Sequence, residues 1–344
     1  MNTIIENTPL APVTQGHSMS SQPAVTSSQA LKYAFKSLRS TQIASRSSAA
    51  TRAIAAMNAI RLPYPLQLEV MQTLAEAQSL GRETRGFMQA ATCLFAPSHT
   101  GKTIAAQDFT EVANEDAKAG SRPVVLISMG TGGGPVEMHR QILAALGEGF
   151  PATKDLAIIR SRSVEAMSDA GVELLIIDEV HEACRQSGGN SSFTSELKTL
   201  LNGGHVGIVL IGTHDAERMI YKDEEIGMRT MAPFRFGALD WENEEERRLW
   251  IGFLAALDAE MVRLGIVEQK SNLDDPDLAM ALCTVCRGII GQLMNVMKQA
   301  IRIAIHDGRD FISIDDLTLA VEDRLIATNL CEVNSVELLA EHRV

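Results

Sequence analysis

The stretch Ala96-Pro97-Ser98-His99-Thr100-Gly101-Lys102-Thr103 follows a short apolar run at 91–95 and opens a helical pattern at 102–113. A strand, a loop of the form G-x-x-x-x-G-K-[ST] and a helix together make a cradle for phosphate. Gly101 allows the tight turn that points successive N–H groups at an anion, and the start of the helix adds the positive end of its dipole. Lys102 provides a point charge for β- and γ-phosphates, and Thr103 a hydroxyl for Mg²⁺. Ala96 stands where the pattern has its first glycine, so the match is incomplete. By itself the stretch also suits a Gly-Lys-Thr turn at an ordinary strand–helix junction.

A second stretch decides between those readings. Leu174-Leu175-Ile176-Ile177-Asp178-Glu179 is an apolar run closed by two carboxylates, the Walker B arrangement. Buried parallel strands read as near-continuous apolar runs, and the end of this one would set Asp178 beside the phosphate loop. There Asp178 can hold the Mg²⁺ shell, directly or through water. Glu179 is the candidate to orient and polarise an attacking water. Without such a role the acids are costly, because an unpaired buried carboxylate is. Lys102 and Asp178 are 76 positions apart, which leaves room for an intervening strand–helix pair. Together the two motifs predict a P-loop protein that binds ATP with Mg²⁺ and hydrolyses it.

Around these motifs strands and helices alternate as a parallel sheet requires. Apolar runs at 91–95, 123–129, 173–177 and 206–211 predict four strands, with helices at 102–113, 136–146, 156–170 and 195–201 between them. An amphipathic helix at 66–80 precedes them, behind the break at Pro63-Tyr64-Pro65. After Trp241 the strands stop, and 244–264, 277–285, 289–305 and 313–326 read as four helices. Asp307-Gly308 ends the third, and Ser313 with Asp316 resembles a capping box for the fourth. The predicted fold is α/β, a parallel sheet flanked by helices, followed by a small all-helical lid domain. The expected organisation is a disordered tail at 1–29, a basic N-terminal arm at 30–60, the α/β domain at 61–239, the helical lid at 240–327 and a C-terminal tail at 328–344.

The composition is that of a globular chain, 45% hydrophobic and 22% charged over 344 residues. Aromatics make up 4%, too few for a platform that stacks single-stranded bases. The net charge of −12 is uneven: residues 1–60 carry +4, residues 61–239 carry −6 and residues 240–344 carry −10. The acidity is therefore concentrated in the last third, and a basic surface elsewhere stays possible. Five dispersed cysteines and no secretory apolar segment fit a reducing cytosol. No apolar stretch reaches the roughly 20 residues of a membrane span, so a soluble protein is expected. Cys283-Thr284-Val285-Cys286 has no second pair or histidine cluster with it and reads as small core residues rather than a zinc site. The run Gly130-Thr131-Gly132-Gly133-Gly134 reads as a long turn, or as a loop touching DNA or a partner.

These residues resemble the AAA+ ATPases of DNA transposition, the TniB/TnsC group, whose role is like that of MuB. The likeness covers about 58–325. It runs from Arg61-Leu62-Pro63 through the two motifs, the segments 174–183 and 207–220, Arg235-Phe236, and the lid segment at 288–308. In the AAA+ class a polar residue at the tip of the fourth strand contacts the γ-phosphate, which implies Thr213, with His214 second. Thr213 is equally placed to be a helix N-cap. An arginine supplied to a neighbouring subunit's phosphate is implied at Arg235, with Arg229 as the alternative and a plain surface arginine as the competing reading. The lid arginine of many AAA+ proteins would fall at Gly291, so that role is absent or passes to another residue such as Lys298. The resemblance implies a homo-oligomer, a ring or filament, that assembles with ATP on double-stranded DNA. It would recruit and stimulate a DDE transposase, with a target-selector protein as a further partner, in the bacterial cytoplasm on the nucleoid. Competing readings are a loader or regulator of replication or defence on the same core, and a nucleotide-gated scaffold with little turnover. A helicase suggested by Asp178-Glu179-Val180-His181 would need a second α/β domain, and the chain after 240 is helical and acidic instead.

Overall fold

The computed structural model describes residues 42–62, 64–130, 133–149, 152–184 and 189–342. The expected tail at 1–29, most of the basic arm and part of the 130–134 glycine run lie outside the described residues. The chain divides into two units, 1–48 and 49–344, and of the first only the opening of a helix is described.

Helices α1 (Gln42–Ala59) and α2 (Pro65–Glu83) precede the α/β region. That region runs β1 (Thr92–Phe95), α3 (Lys102–Glu115), β2 (Val124–Ser128), α4 (Pro135–Ala145), α5 (Leu156–Asp169) and β3 (Leu174–Asp178). It continues through α6 (Val180–Cys184), α7 (Gly189–Gly203), β4 (Gly207–Gly212), α8 (His214–Tyr221), α9 (Glu224–Gly227) and β5 (Phe234–Arg235). The lid follows with α10 (Glu244–Arg263), α11 (Pro276–Cys286), α12 (Ile290–Asp307), α13 (Ile314–Val321), a π-turn at Glu322–Ile326 and α14 (Ser335–His342).

The strands form one sheet in the order β2-β3-β4-β1-β5, parallel throughout. Alternation along β3 sends its side chains to both faces. Leu174 and Ile176 pack with Val70 and Leu74 of α2 and Phe109 of α3. Leu175 and Ile177 pack with Ile142 of α4 and Phe193 and Leu197 of α7. Both faces are covered, so the apolar run of β3 is buried at every position. Placing β1 between β4 and β5 brings the carboxyl ends of β1, β3 and β4 to one rim, where open α/β sheets bind ligands.

The lid has its own core around Trp250, which is fully buried and donates its indole N–H to Ala279 O at 3.0 Å. Cys283 and Cys286 are packed into that core as free thiols, and burial pushes the Cys283 thiol up to about 11. No group of three or more potential ligands for a metal occurs among the described residues. Met57 of α1 and Val336 of α14 join the same core, although both lie outside 240–327. Ser313 and Asp316 make the capping box at the start of α13. No single described helix is long and apolar enough to cross a membrane.

One buried polar network ties the helices on one face. His139 of α4 lies 2.7 Å from Ser163 Oγ of α5 through Nδ1 and 2.9 Å from Glu196 Oε1 of α7 through Nε2. Arg160 donates to both oxygens of Glu196. Burial alone would raise the Glu196 carboxyl, but the bonds from His139 and Arg160 hold it down at about 2. Because the folded value lies below the ordinary one, the stabilisation is complete above about pH 4.5 and is lost as pH falls toward about 2. Glu196→Gln should cost about 3 kcal/mol at neutral pH by leaving buried partners unpaired. Urea unfolding of the variant should also show a flatter loss of stability across that acid window than the parent.

Candidate active site

The phosphate-type loop leaves β1 at Ala96, whose N–H donates to Gly212 O of β4 at 3.2 Å. Ala96 is fully buried and its φ is not in the left-handed region, so an alanine meets the backbone requirement at this position. Gly101 is different: its φ is 90°, and a Cβ there would lie 2.6 Å from Gln67 Nε2. It is the left-handed residue from which α3 starts. Lys102 is buried and donates to Ala96 O at 2.9 Å and Pro97 O at 2.7 Å. Burial lowers its pKa, while Glu179 and Asp178 pull the other way. Thr100 closes the loop by donating to Pro97 O at 2.9 Å.

The two motifs meet through one bond, Thr103 Oγ1 to Asp178 Oδ2 at 2.6 Å. The other oxygen of Asp178 accepts from the backbone N–H of Glu179 at 2.8 Å. Glu179 has φ 56°, rare for a residue with a long side chain. It lines the same cavity as Ser98, His99, Thr100, Gly101, Lys102 and Thr103. That cavity is about 520 Å³. Apolar and aromatic residues also line it, Leu62, Tyr64, Phe253, Ile290 and Met294, together with Arg61 and Lys298. Tyr64 and Phe253 meet edge to face at 5.9 Å, and burial pushes the Tyr64 phenol up. Burial also lowers Lys298, helped by Arg324.

The lid touches the loop directly. Gly291 N–H donates to His99 O at 3.0 Å, and His99 itself has φ 65°. A Cβ at residue 291 would lie 2.4 Å from that carbonyl. An arginine is therefore sterically excluded at this lid position, and Lys298 is the lid cation on the cavity wall.

The remaining candidates separate. Thr213 occupies the N-cap position of α8, but its hydroxyl makes no cap bond, and Oγ1 is buried without a partner among the described residues. His214 is exposed, 3.4 Å from Glu217 Oε2 through Nδ1. Arg235 lies on the edge strand β5, away from the cavity lining, and donates to Glu217 Oε1 from Nε at 2.7 Å. That bond holds the Glu217 carboxyl below its ordinary value against the effect of burial. Arg229 belongs to the opposite end of the sheet, where its carbonyl accepts from Ala91 N–H at the start of β1. The aromatic wall and Glu217 carry no signature in the sequence, since they come from α8, α10, α12 and the segment at 62–64. His181 carried a signal in the Asp-Glu-x-His string.

A five-stranded parallel sheet in this order, with its loop, paired acids and helical lid, defines an AAA+ ATPase fold. Similar solved structures are Cdc6p from Pyrobaculum aerophilum (15% identity, TM-score 0.57, 77% of this chain and 69% of that one) and the Aeropyrum pernix ORC1 protein in complex with DNA (15%, 0.57, 76% and 66%). Drosophila ORC bound to DNA is a third (16%, 0.52, 93% and 71%). A family profile described as bacterial TniB protein matches residues 57–236, and the chain belongs to the TniB family. Comparison with curated proteins returns no match.

Gly291→Ala should push the lid helix off the loop. Hydrogen exchange is expected to show faster exchange at the residue 291 amide and through 98–103, with the α/β core unchanged. Unaltered protection there would mean the contact is not formed in solution.

Proposed function

We propose that this chain is an ATP-dependent regulator of DNA transposition that assembles on double-stranded DNA and hydrolyses ATP to disassemble. The observation that carries the ATPase reading is the Thr103–Asp178 bond, which joins the two motifs across the sheet rim. That hydroxyl and carboxylate form an oxygen pair suited to a hard divalent cation. Magnesium there would neutralise charge on the β- and γ-phosphates. Lys102 is poised to exchange the Ala96 and Pro97 carbonyls for phosphate oxygens. The apolar wall of the cavity suits a purine base. Glu179, on the cavity wall, serves as the acid that polarises the attacking water. The unpartnered Thr213 hydroxyl at the end of β4 is available to the γ-phosphate or that water.

Arg235 does not line its own chain's cavity. An exposed arginine on an edge strand suits a role in a neighbouring subunit's site, so the catalytic site is completed by assembly. Membership of the TniB family supports a transposition role with duplex DNA, a DDE transposase and a target selector as partners, on the bacterial nucleoid. DNA contacts of this kind go mainly to phosphates and weaken steeply with salt.

Lys102→Ala should abolish nucleotide binding, measured with a fluorescent ATP analogue. Glu179→Gln should keep binding, cut phosphate release about 10²-fold or more, and trap the assembled form on sizing columns. Arg235→Ala should cut turnover by about 10³-fold with nucleotide affinity intact. In gel shifts on random duplex at low salt, ATP should produce binding that added salt removes. Unimpaired turnover in Glu179→Gln would overturn the catalytic assignment, and no ATP-dependent shift would overturn the DNA assignment.

A further inference from the structure

The Asp-Glu-x-His string ends on a side chain that the ATPase reading leaves without a task. His181 is in the first turn of α6, directly after the strained Glu179. Its ring is largely buried, and it stands between two carboxylates. Nδ1 lies 3.1 Å from Glu179 Oε2, and Nε2 lies 3.3 Å from Glu182 Oε1. The approach to Glu179 is close enough for a hydrogen bond but off its line, so Nδ1 has no aligned partner. A buried polar atom in that condition is unusual, and here it adjoins the carboxylate assigned to the water.

We infer that His181 is the positioning residue for Glu179, its Nδ1–H closing onto the Glu179 carboxylate when nucleotide is bound. This rests on the reading of Glu179 given above. Three features carry it. First, the left-handed backbone at Glu179 fixes the direction of its Cα–Cβ bond, so only side-chain torsions remain to aim the carboxylate. Second, that side chain is 40% exposed, so packing alone does not set those torsions. Third, the imidazole is buried on a helix that is itself packed in place. Val180 packs against Gly212, whose added Cβ would meet Val180 Cγ2 at 3.0 Å, and α6 packs on α8. A buried donor beside a part-exposed acceptor can pass from misaligned to aligned geometry with little movement. Hydrogen bonds at catalytic groups are commonly long or misaligned before substrate binds and tighten afterwards. Glu182 Oε1 stands on the far side of the ring, 3.3 Å from Nε2.

The test uses the full chain with ATP and DNA. Asparagine places an amide donor near the Nδ1 position, glutamine near the Nε2 position, and alanine neither. His181→Ala is expected to lower kcat about 10- to 100-fold, as for other side chains that orient a functional group, with KM and nucleotide affinity within about twofold of the parent. His181→Asn should recover most of that loss and His181→Gln little of it. In the Glu179→Gln background, His181→Ala should cause no further loss, because the two act as one unit. The inference is overturned if His181→Ala keeps its kcat, if Asn and Gln rescue equally, or if the losses add in the double variant. Should His181→Ala fail to fold, the Asn and Gln pair decides the matter alone. Normal turnover in Glu179→Gln would instead sink the underlying assignment of Glu179, a result distinct from any of these.

Discussion

The bond from Thr103 to Asp178 depends on nearly everything else in the α/β domain. Its partners are the second residue of a helix and the last residue of a strand, and they are separated by a whole strand–helix–helix segment in the chain. They meet because β1 and β3 both lie beside β4 and run parallel, so their carboxyl ends are level at one rim. Parallel neighbours require crossovers, and the crossovers place helices on both faces. That burial is what makes β3 apolar at each of its first four positions. The carboxylate that ends it is tolerable only because both its oxygens are occupied, one by Thr103 and one by the Glu179 N–H.

Backbone hydrogen bonds join the lid to this rim. Leu239 N–H donates to Gly288 O at the entry to the lid, and Gly291 N–H to His99 O three residues on. His99 adopts a left-handed φ, a conformation that costs roughly 1–2 kcal/mol outside glycine and its close substitutes. The lid bond helps to fix that conformation, so the loop's shape is partly a property of the lid. The same closeness explains why residue 291 is glycine: 2.4 Å leaves no room for a side chain. The lid cation that does line the cavity, Lys298, lies about two turns further along α12, and burial lowers its pKa.

The long elements were legible in the sequence because their periods are long. The runs of β3 and β4 and the four lid helices are found where the apolar pattern places them, within about two residues at most ends. The exception is the fourth lid helix, which breaks into α13 and a π-turn after Val321. Elements too short to show a period were missed. The helices α6 and α8 have five and eight residues, and β5 has two. Of the site, the loop and the two acids were legible because chemistry fixes their residue types. The aromatic wall was not, since Tyr64, Phe253 and Met294 are ordinary apolar residues until the fold brings them together. Nor was Glu217, one helical turn beyond Thr213, whose meaning lies wholly in its distance from Arg235.

Buried polar atoms without partners mark where this fold gives up stability. Four are found among the described residues: His181 Nδ1, Thr213 Oγ1, Arg229 Nε and Thr318 Oγ1. Two of these, His181 and Thr213, sit just past the ends of adjacent strands β3 and β4, and His181 adjoins Glu179 of the cavity wall. An unsatisfied buried group costs about 1–3 kcal/mol, and the helix N-cap would have offered Thr213 an inexpensive remedy that its rotamer declines. By contrast, the more deeply buried His139 has both ring nitrogens engaged, by Ser163 and Glu196. Two histidines of one chain thus meet opposite fates by location. The one within the helical layer is fully bonded and rigidifies the domain, while the one at the rim keeps a nitrogen in reserve beside the acid it would serve.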